Sequence, residues 1–153
     1  MKRFIRFILR FILLPTLLIA TIPTAMLIRN GYEVYASALA TCPVQEMAER
    51  IEAKPDFISV EELPQIYLDA VISVEDHRFY SHPGIDPLAI ARAAFNDLRT
   101  LSFAEGGSTI TQQLAKNEYF TQEKTLTRKV AEVFMALEIE QELDKDRILA
   151  LYL

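Results

Sequence analysis

The first thirty residues contain the feature that most restricts this chain, an unbroken apolar segment. From Phe11 to Ile28 lie 18 uncharged, mostly apolar residues, which is close to the length that a helix needs to cross a bilayer. Four cations precede this segment and only Arg29 follows it closely. Because positive charge stays on the cytoplasmic side of a membrane, residues 1–29 are predicted to be a cytoplasmic basic tip and a transmembrane helix, with the rest of the chain exported.

A cleaved signal peptide is the alternative for the same segment. Ala38-Leu39-Ala40 has the small residues of a cleavage site, and the residues from Leu39 to Cys42 weakly resemble a lipoprotein site. Both lie about ten residues beyond the apolar segment, which is farther than such sites normally stand. The spacing therefore favours a retained single-pass anchor.

Charge is divided unevenly along the chain, and this division excludes one class of partner. Residues 1–32 contain five of the sixteen cations and no acid, which leaves eleven cations against 21 acids from residue 33 onward. A domain this acidic is poorly suited to wrap a nucleic acid, so phosphate binding would need a local basic cluster. With Cys42 as the single cysteine, no disulfide framework and no thiolate metal cluster can form. His77 and His82 are too few for a zinc site unless acids complete it, so no metal-ligating residue is predicted.

Hydrophobic residues at helical spacing, without strand-like alternation, predict an all-α domain. Residues 30–58 are predicted to form a stalk with a short helix at 47–53, and residues 59–153 to form the domain. A capping-box pattern at 59–62 and Pro64 in a first helical turn mark the start of the domain. Further helices are predicted at 64–76, 86–98, 109–117 and 126–142, with Asp144 as the N-cap of a last one.

Glu75 stands at the end of an apolar stripe on the first of these helices. Leu68, Val71 and Ile72 form the stripe, so the carboxylate of Glu75 is expected at the edge of a buried face. Glu75 also lies near a helix C-terminus, where the macrodipole disfavours negative charge. Proteins tend to accept such a position where a proton must move, which makes Glu75 a candidate base. The helix alone favours the alternative, a structural pair with Arg78 at i+3.

A loop with two adjacent glycines leads directly into the helix predicted at 109–117. Free N–H groups and the hydroxyls of Ser108 and Thr109 are suited to bind an anion there. Gln113, Lys116 and Asn117 follow at i, i+3 and i+4, so one face presents two amides and an ammonium to sugar hydroxyls or phosphate oxygens. On this segment alone, a Ser/Thr cap followed by a solvated polar face explains the pattern equally well.

The helix that begins near residue 127 is apolar on two opposite sides. Arg128 and Glu132, at i and i+4, share the side of Met135 and Ile139, with Lys129 adjacent. A solvated salt bridge would not need apolar neighbours, so Glu132 is an acid in a partly apolar setting beside two cations. A buried structural ion pair is the alternative.

Taken together, these segments resemble the peptidoglycan glycosyltransferase domain, the lysozyme-like family of monofunctional transglycosylases and bifunctional penicillin-binding proteins. The resemblance covers about residues 60–153 and reverses the preference for the structural alternatives. The matching stretches are Glu75 to Phe79 with His82, Gly84 and Asp86; Gly106 to Asn117; Arg128-Lys129 with Glu132; and Ile148-Leu149 with Tyr152-Leu153.

The resemblance implies a lysozyme-like all-α fold and an enzyme that polymerises lipid II. In this family the acid matching Glu75 is the general base, which takes the proton from the 4-hydroxyl of the acceptor sugar. That oxygen attacks the anomeric carbon of the growing chain, undecaprenyl pyrophosphate leaves, and inversion gives a β-1,4 bond. Residues matching Lys116, Arg128 and Lys129 contact the pyrophosphates, and the acid matching Glu132 supports the donor site as a second catalytic residue.

The resemblance also implies the other site residues and the setting of the reaction. Further substrate-binding residues are expected at Asp76, Ser108, Thr109, Gln113 and Asn117, and Mg²⁺ or Mn²⁺ is expected near a pyrophosphate. The expected partners are lipid II, the growing glycan strand, the membrane and other cell-wall synthesis proteins, with no nucleic acid. The expected location is the bacterial cytoplasmic membrane, with the N-terminus in the cytoplasm and the catalytic domain outside.

Two features depart from the family pattern. Glu105 stands where a glutamine usually precedes the paired glycines, which adds negative charge near the pyrophosphate site. The chain stops at Leu153, inside the fourth motif, so it is expected to be a fragment or a truncated product. The alternative function is then a non-catalytic remnant that binds lipid II or a cell-wall partner. Lysozyme-like hydrolysis fits less well, because the Lys/Arg cluster suits a pyrophosphate leaving group.

Overall fold

The computed structural model describes residue 11 and residues 14–100 and 106–153, and these residues form helices and turns without a strand. The all-α prediction is therefore confirmed for this part of the chain. Two short 3₁₀ turns, Val60–Glu62 and Phe79–Ser81, lie between the helices. The helices are α1 (Leu14–Thr41), α2 (Val44–Glu52), α3 (Gln65–Glu75), α4 (Pro87–Thr100), α5 (Ile110–Tyr119), α6 (Leu126–Glu142) and α7 (Lys145–Tyr152).

The long helix α1 packs along α6, and a glycine permits the close approach. A Cβ atom on Gly31 would stand 2.5 Å from Cγ1 of Val130, so only a residue without a side chain fits there. The rings of Tyr32, Tyr35 and Phe134 pack against one another, and the Phe134 centroid is 5.4 Å from that of Tyr32 and 5.8 Å from that of Tyr35. Helix α1 thus continues without a break across residue 29, where the sequence places the end of the anchor, and becomes part of the domain.

The predicted transmembrane helix lies only partly within the described residues. Residues 1–10, 12 and 13, which include the basic tip, are outside them. Among the helices that the structure describes, none combines the length and the apolar character needed to cross a bilayer.

The core lies where α2, α5, α6 and α7 meet. Helix α5 packs against both α6 and α7. The second apolar side of α6, which carries Met135 and Ile139, is fully buried in this core. Both sides of α6 are therefore covered, one by α1 and the other by the core, as its two apolar stripes predict. The largest core side chains are those of Phe79, Met47, Ile110, Leu114, Met135, Ile139, Ile148 and Leu149.

Side chains cap the starts of three helices, and the cap that the sequence predicts at a fourth place does not form. Thr109 and Gln112 form a reciprocal capping box at α5, and Thr125 and Asp144 cap α6 and α7 through their side chains. The capping box predicted at 59–62 is wrong: Ser59 makes no cap bond, and one 3₁₀ turn follows it. The cause is the proline after Leu63, because a residue before proline is pushed into the extended conformation that Leu63 adopts.

Candidate active site

Glu75 is the last residue of α3, and its side chain is exposed. Its Oε2 accepts a hydrogen bond of 2.9 Å from Nε2 of Gln113 on α5. The expectation that Glu75 lies at a buried edge is therefore wrong. The alternative ion pair with Arg78 is also wrong, because the helix ends at Glu75 and does not bring residue 78 onto the same helical face. The Arg78 guanidinium instead stands 3.2 Å from the carboxylate of Asp86.

Asp76, the next residue, is buried and acts within the scaffold. Both of its carboxylate oxygens lie 3.0 Å from Nε2 of His82, and Oδ2 also accepts a hydrogen bond of 3.1 Å from the backbone N–H of Ile110. These contacts join the end of α3 to the start of α5. The two adjacent acids therefore differ: Asp76 fixes the backbone, and Glu75 is presented to solvent.

The two hydroxyl groups of the loop before α5, those of Ser108 and Thr109, have different partners. Thr109 is buried, and its Oγ1 donates to the carbonyl oxygen of Gly84 over 2.6 Å while it caps the helix. Ser108 is half-buried, and its Oγ accepts a hydrogen bond of 2.7 Å from Nζ of Lys129. Thr109 is therefore a helix cap, as the structural alternative predicts, whereas Ser108 contacts Lys129. Glu105 lies outside the described residues.

Glu132 lies in the second turn of α6, with only 1% of its surface exposed. Nε of Arg128 stands 2.8 Å from its Oε1, and Nζ of Lys129 stands 2.9 Å from its Oε2. The guanidinium of Arg128 also donates to the carbonyl oxygen of Thr121 over 3.1 Å. A buried carboxylate is stable only when it is paired and hydrogen-bonded, and here it fixes two cations on the surface of the helix.

These side chains come together in one cleft of about 780 Å³ between α3, α5 and α6. Seven of the ten residues predicted for the site line it: Glu75, Ser108, Gln113, Lys116, Arg128, Lys129 and Glu132. Asp76 and Thr109 line a smaller adjoining cavity of about 340 Å³, in which Glu75 and Ser108 also take part. Asn117 lines neither cavity and is exposed. Glu75 therefore stands between the two spaces.

The cleft is basic although the domain is acidic. Its described lining contains four cations, Lys116, Lys124, Arg128 and Lys129, against the two acids Glu75 and Glu132. Lys124 was missed by the sequence analysis, because it precedes α6 in a loop whose helical phase cannot be read from the sequence. The local basic cluster that phosphate binding requires is thus present.

Within the described residues, no three His, Cys, Asp or Glu side chains are grouped closely enough to hold a metal ion by themselves. Each oxygen of Glu132 already contacts a cation of the protein, and Mg²⁺ requires free oxygen ligands.

Comparison with known proteins gives the class. Residues 43–153 match the family described as Transglycosylase, so the chain belongs to this family of peptidoglycan glycosyltransferases. Penicillin-binding protein 1A of Vibrio cholerae is 51% identical over 96 residues, 63% of this chain. Penicillin-binding protein 1A of Aquifex aeolicus is 46% identical over 97 residues, again 63% of the chain. Penicillin-binding protein 1A/1B of Bacillus subtilis is 42% identical over 119 residues, 78% of the chain. The aligned regions are 12%, 13% and 13% of these proteins, so this chain spans a small part of their length.

Proposed function

We propose that this domain polymerises lipid II into glycan strands, with Glu75 as the general base. The observation that carries the proposal is the placement of an exposed carboxylate and four cations on one cleft. The carboxylate suits removal of a proton, and the cations suit a pyrophosphate.

The proposed reaction begins at Glu75. Its carboxylate takes the proton from the 4-hydroxyl of the acceptor sugar, and the oxygen attacks the anomeric carbon of the donor sugar. The bond between that carbon and the pyrophosphate oxygen breaks, and undecaprenyl pyrophosphate leaves with the electron pair. Attack from the face opposite the leaving group converts the α-linked donor into a β-1,4 bond. Gln113 supports this role by holding Oε2 of Glu75 at the cleft.

The cations are proposed to stabilise the charge that develops on the leaving pyrophosphate. Arg128 and Lys129 are fixed by Glu132 before substrate arrives, so little reorganisation is needed during the reaction. A pyrophosphate neutralised in this way leaves without strong protonation, and one base is sufficient. In this scheme Glu132 supports the donor site by positioning the cations.

Any Mg²⁺ or Mn²⁺ is proposed to enter with the substrate, held by the pyrophosphate oxygens. The two carboxylates of the cleft are assigned other tasks, Glu75 as the base and Glu132 as the partner of two cations.

We further propose that the N-terminal segment anchors the domain in the bacterial cytoplasmic membrane, with the N-terminus inside and the domain outside. The support is the apolar run from Phe11 to Ile28 and the four cations before it. Because α1 continues to Thr41 and packs on α6, such an anchor would hold the cleft at a fixed distance from the bilayer, where a lipid-linked substrate lies. Other cell-wall synthesis proteins are proposed as partners of the anchored enzyme.

Polymerisation of labelled lipid II in detergent with Mg²⁺ tests the enzymatic role. The unaltered chain should produce long glycan strands, and Glu75→Gln should lower the rate by roughly 10²- to 10⁴-fold, since the amide cannot accept the proton. Glu46→Gln, at an exposed position on α2 outside the cleft, is the matched control and should keep full activity. Polymer formation by Glu75→Gln at the unaltered rate would exclude Glu75 as the base.

The same assay separates the alternative function. A chain that binds lipid II in a pull-down and forms no polymer is a non-catalytic binding module. Release of short sugar fragments from preformed glycan would instead indicate hydrolysis, which the basic cleft does not favour.

A further inference from the structure

Tyr152, in the last turn of α7, reaches the candidate base through one intermediate side chain. Its hydroxyl donates to Oε1 of Gln113 over 3.3 Å, and Nε2 of the same Gln113 donates to Oε2 of Glu75 over 2.9 Å. Two hydrogen bonds therefore connect the ends of α7 and α3 through the middle of α5.

The direction of these bonds follows from the chemistry of the three groups. An ionised carboxylate only accepts, so the NH₂ group of Gln113 must face Glu75. The amide oxygen then faces Tyr152, whose hydroxyl must donate. Burial raises the pKa of the Tyr152 hydroxyl, and the negative charge of Glu75 raises it further. The phenol thus keeps its proton at neutral pH and stays a donor.

Tyr152 does not belong to the described lining of the cleft. It lines a separate cavity of about 390 Å³ together with Tyr67, Phe57 and Leu63. A substrate in the cleft would meet Glu75 and Gln113, and among the described residues Gln113 is the hydrogen-bonded link between Tyr152 and Glu75. An effect of the Tyr152 hydroxyl through hydrogen bonding must therefore pass through the amide.

We propose that Tyr152 is a positioning residue, which fixes the amide of Gln113 so that its NH₂ group holds the base Glu75 toward the acceptor. This inference rests on the proposed function. Without the Tyr152 hydroxyl, the Gln113 amide loses the group that donates to its oxygen. A rotation of the amide group by half a turn about its last side-chain bond would then bring that oxygen against the Glu75 carboxylate. The base would then spend less time in the reactive position, although the substrate would bind as before.

Lipid II kinetics on four variants test this positioning. Tyr152→Phe should lower kcat roughly three- to tenfold, the value of one hydrogen bond, and leave KM unchanged. Tyr67→Phe removes a hydroxyl from the same cavity and should keep the unaltered kcat. Gln113→Leu should lower kcat further, and adding Tyr152→Phe to it should cause no additional loss, because the connection is already broken.

Independent losses in the double variant, or a raised KM for Tyr152→Phe, would overturn the inference. The side-chain amide resonance of Gln113, identified by its disappearance in Gln113→Leu, gives a readout that does not require activity. Tyr152→Phe should shift this resonance and Tyr67→Phe should not. If the unaltered chain forms no polymer, the proposed function fails, and an unshifted amide resonance would separately show that Tyr152 does not orient Gln113.

Discussion

The two acids of the cleft occupy opposite environments. Glu75 stands exposed at the end of α3 with one hydrogen bond from an amide. Glu132 is buried within α6, and its oxygens contact the Arg128 guanidinium and the Lys129 ammonium. Both are glutamates on helices that face one cavity, so residue type and location alone do not separate their roles.

The two acids differ in their bonding partners, and this difference is the basis for the roles proposed for them. A carboxylate held between two cations gives up its pairing if it takes a proton, and the cations lose their support. A carboxylate that accepts a hydrogen bond from a neutral amide at one oxygen keeps the other oxygen available to a substrate. This difference is the reason for proposing Glu75 for proton transfer and Glu132 for holding the cations in place.

The largest expected effect on stability comes from Glu132→Ala. This change leaves Arg128 and Lys129 without their partner and opens a buried cavity. Because these two side chains are 16% and 42% exposed and can turn to water, we expect a loss of about 2 to 3 kcal/mol in the free energy of unfolding, measured by urea denaturation.

Glu75→Ala is the matched comparison for that experiment. The side chain is exposed, so the free energy of unfolding should change by less than about 0.5 kcal/mol while polymerisation is lost. Equal losses of stability at both positions would remove the distinction between a structural and a reactive acid.

A smaller effect is expected from Gly31→Ala, which acts on the opposite face of α6. The added methyl group would stand 2.5 Å from Val130 and 3.1 Å from the carbonyl oxygen of Thr127, the residues that flank Arg128 and Lys129 in the sequence. We expect α1 to separate slightly from α6, at a cost of about 1 to 2 kcal/mol. Thermal unfolding should show the loss in Gly31→Ala and not in Gly106→Ala, because a Cβ at Gly106 would meet no atom of the described residues within 4 Å.

The smallest effect concerns pH and a third acid, Asp86, which is buried like Glu132. Burial acts to raise the pKa of Asp86, but hydrogen bonds from the N–H groups of Ala89 and Leu88, together with the Arg78 guanidinium, outweigh it and lower the pKa. Its ionised form therefore stabilises the fold above the unfolded pKa of about 3.9, and this contribution is lost as the pH falls through the lower folded value.

Melting temperatures measured between neutral and acidic pH test this contribution. Asp86→Asn should melt lower than the unaltered chain at neutral pH, and the difference should shrink as the pH falls below about 4. A difference that stays constant with pH would show that the charge of Asp86 contributes nothing to stability.

The helices could be predicted from the sequence because each is encoded locally. The helix predicted at 109–117 is observed at Ile110–Tyr119, the one predicted at 126–142 is observed at Leu126–Glu142, and Asp144 caps α7 as expected. Spacing of apolar residues and capping side chains depend only on near neighbours in the chain. The capping box at 59–62 failed because the proline after it imposed an extended backbone on Leu63.

The pairings between helices could not be read in the same way. The Arg78 partner proved to be Asp86, beyond the 3₁₀ turn, and the partner of Glu75 lies 38 residues away. Lys124 lies before the start of α6, so helical spacing does not predict its position, yet it lines the cleft. Such contacts depend on how turns bring distant segments together, which local patterns do not specify.

The sequence by itself determined the helical class of the domain, most helix ends, and the close association of Glu132 with Arg128 and Lys129, because residues at i+3 and i+4 on one helix must be neighbours. Only the tertiary structure decided that the burial of Glu132 is almost complete and that Glu75 is exposed. It also decided that Gln113 links Glu75 to Tyr152. Burial and long-range hydrogen bonds depend on the packing of α3, α5, α6 and α7, and helical spacing within one segment does not specify that packing.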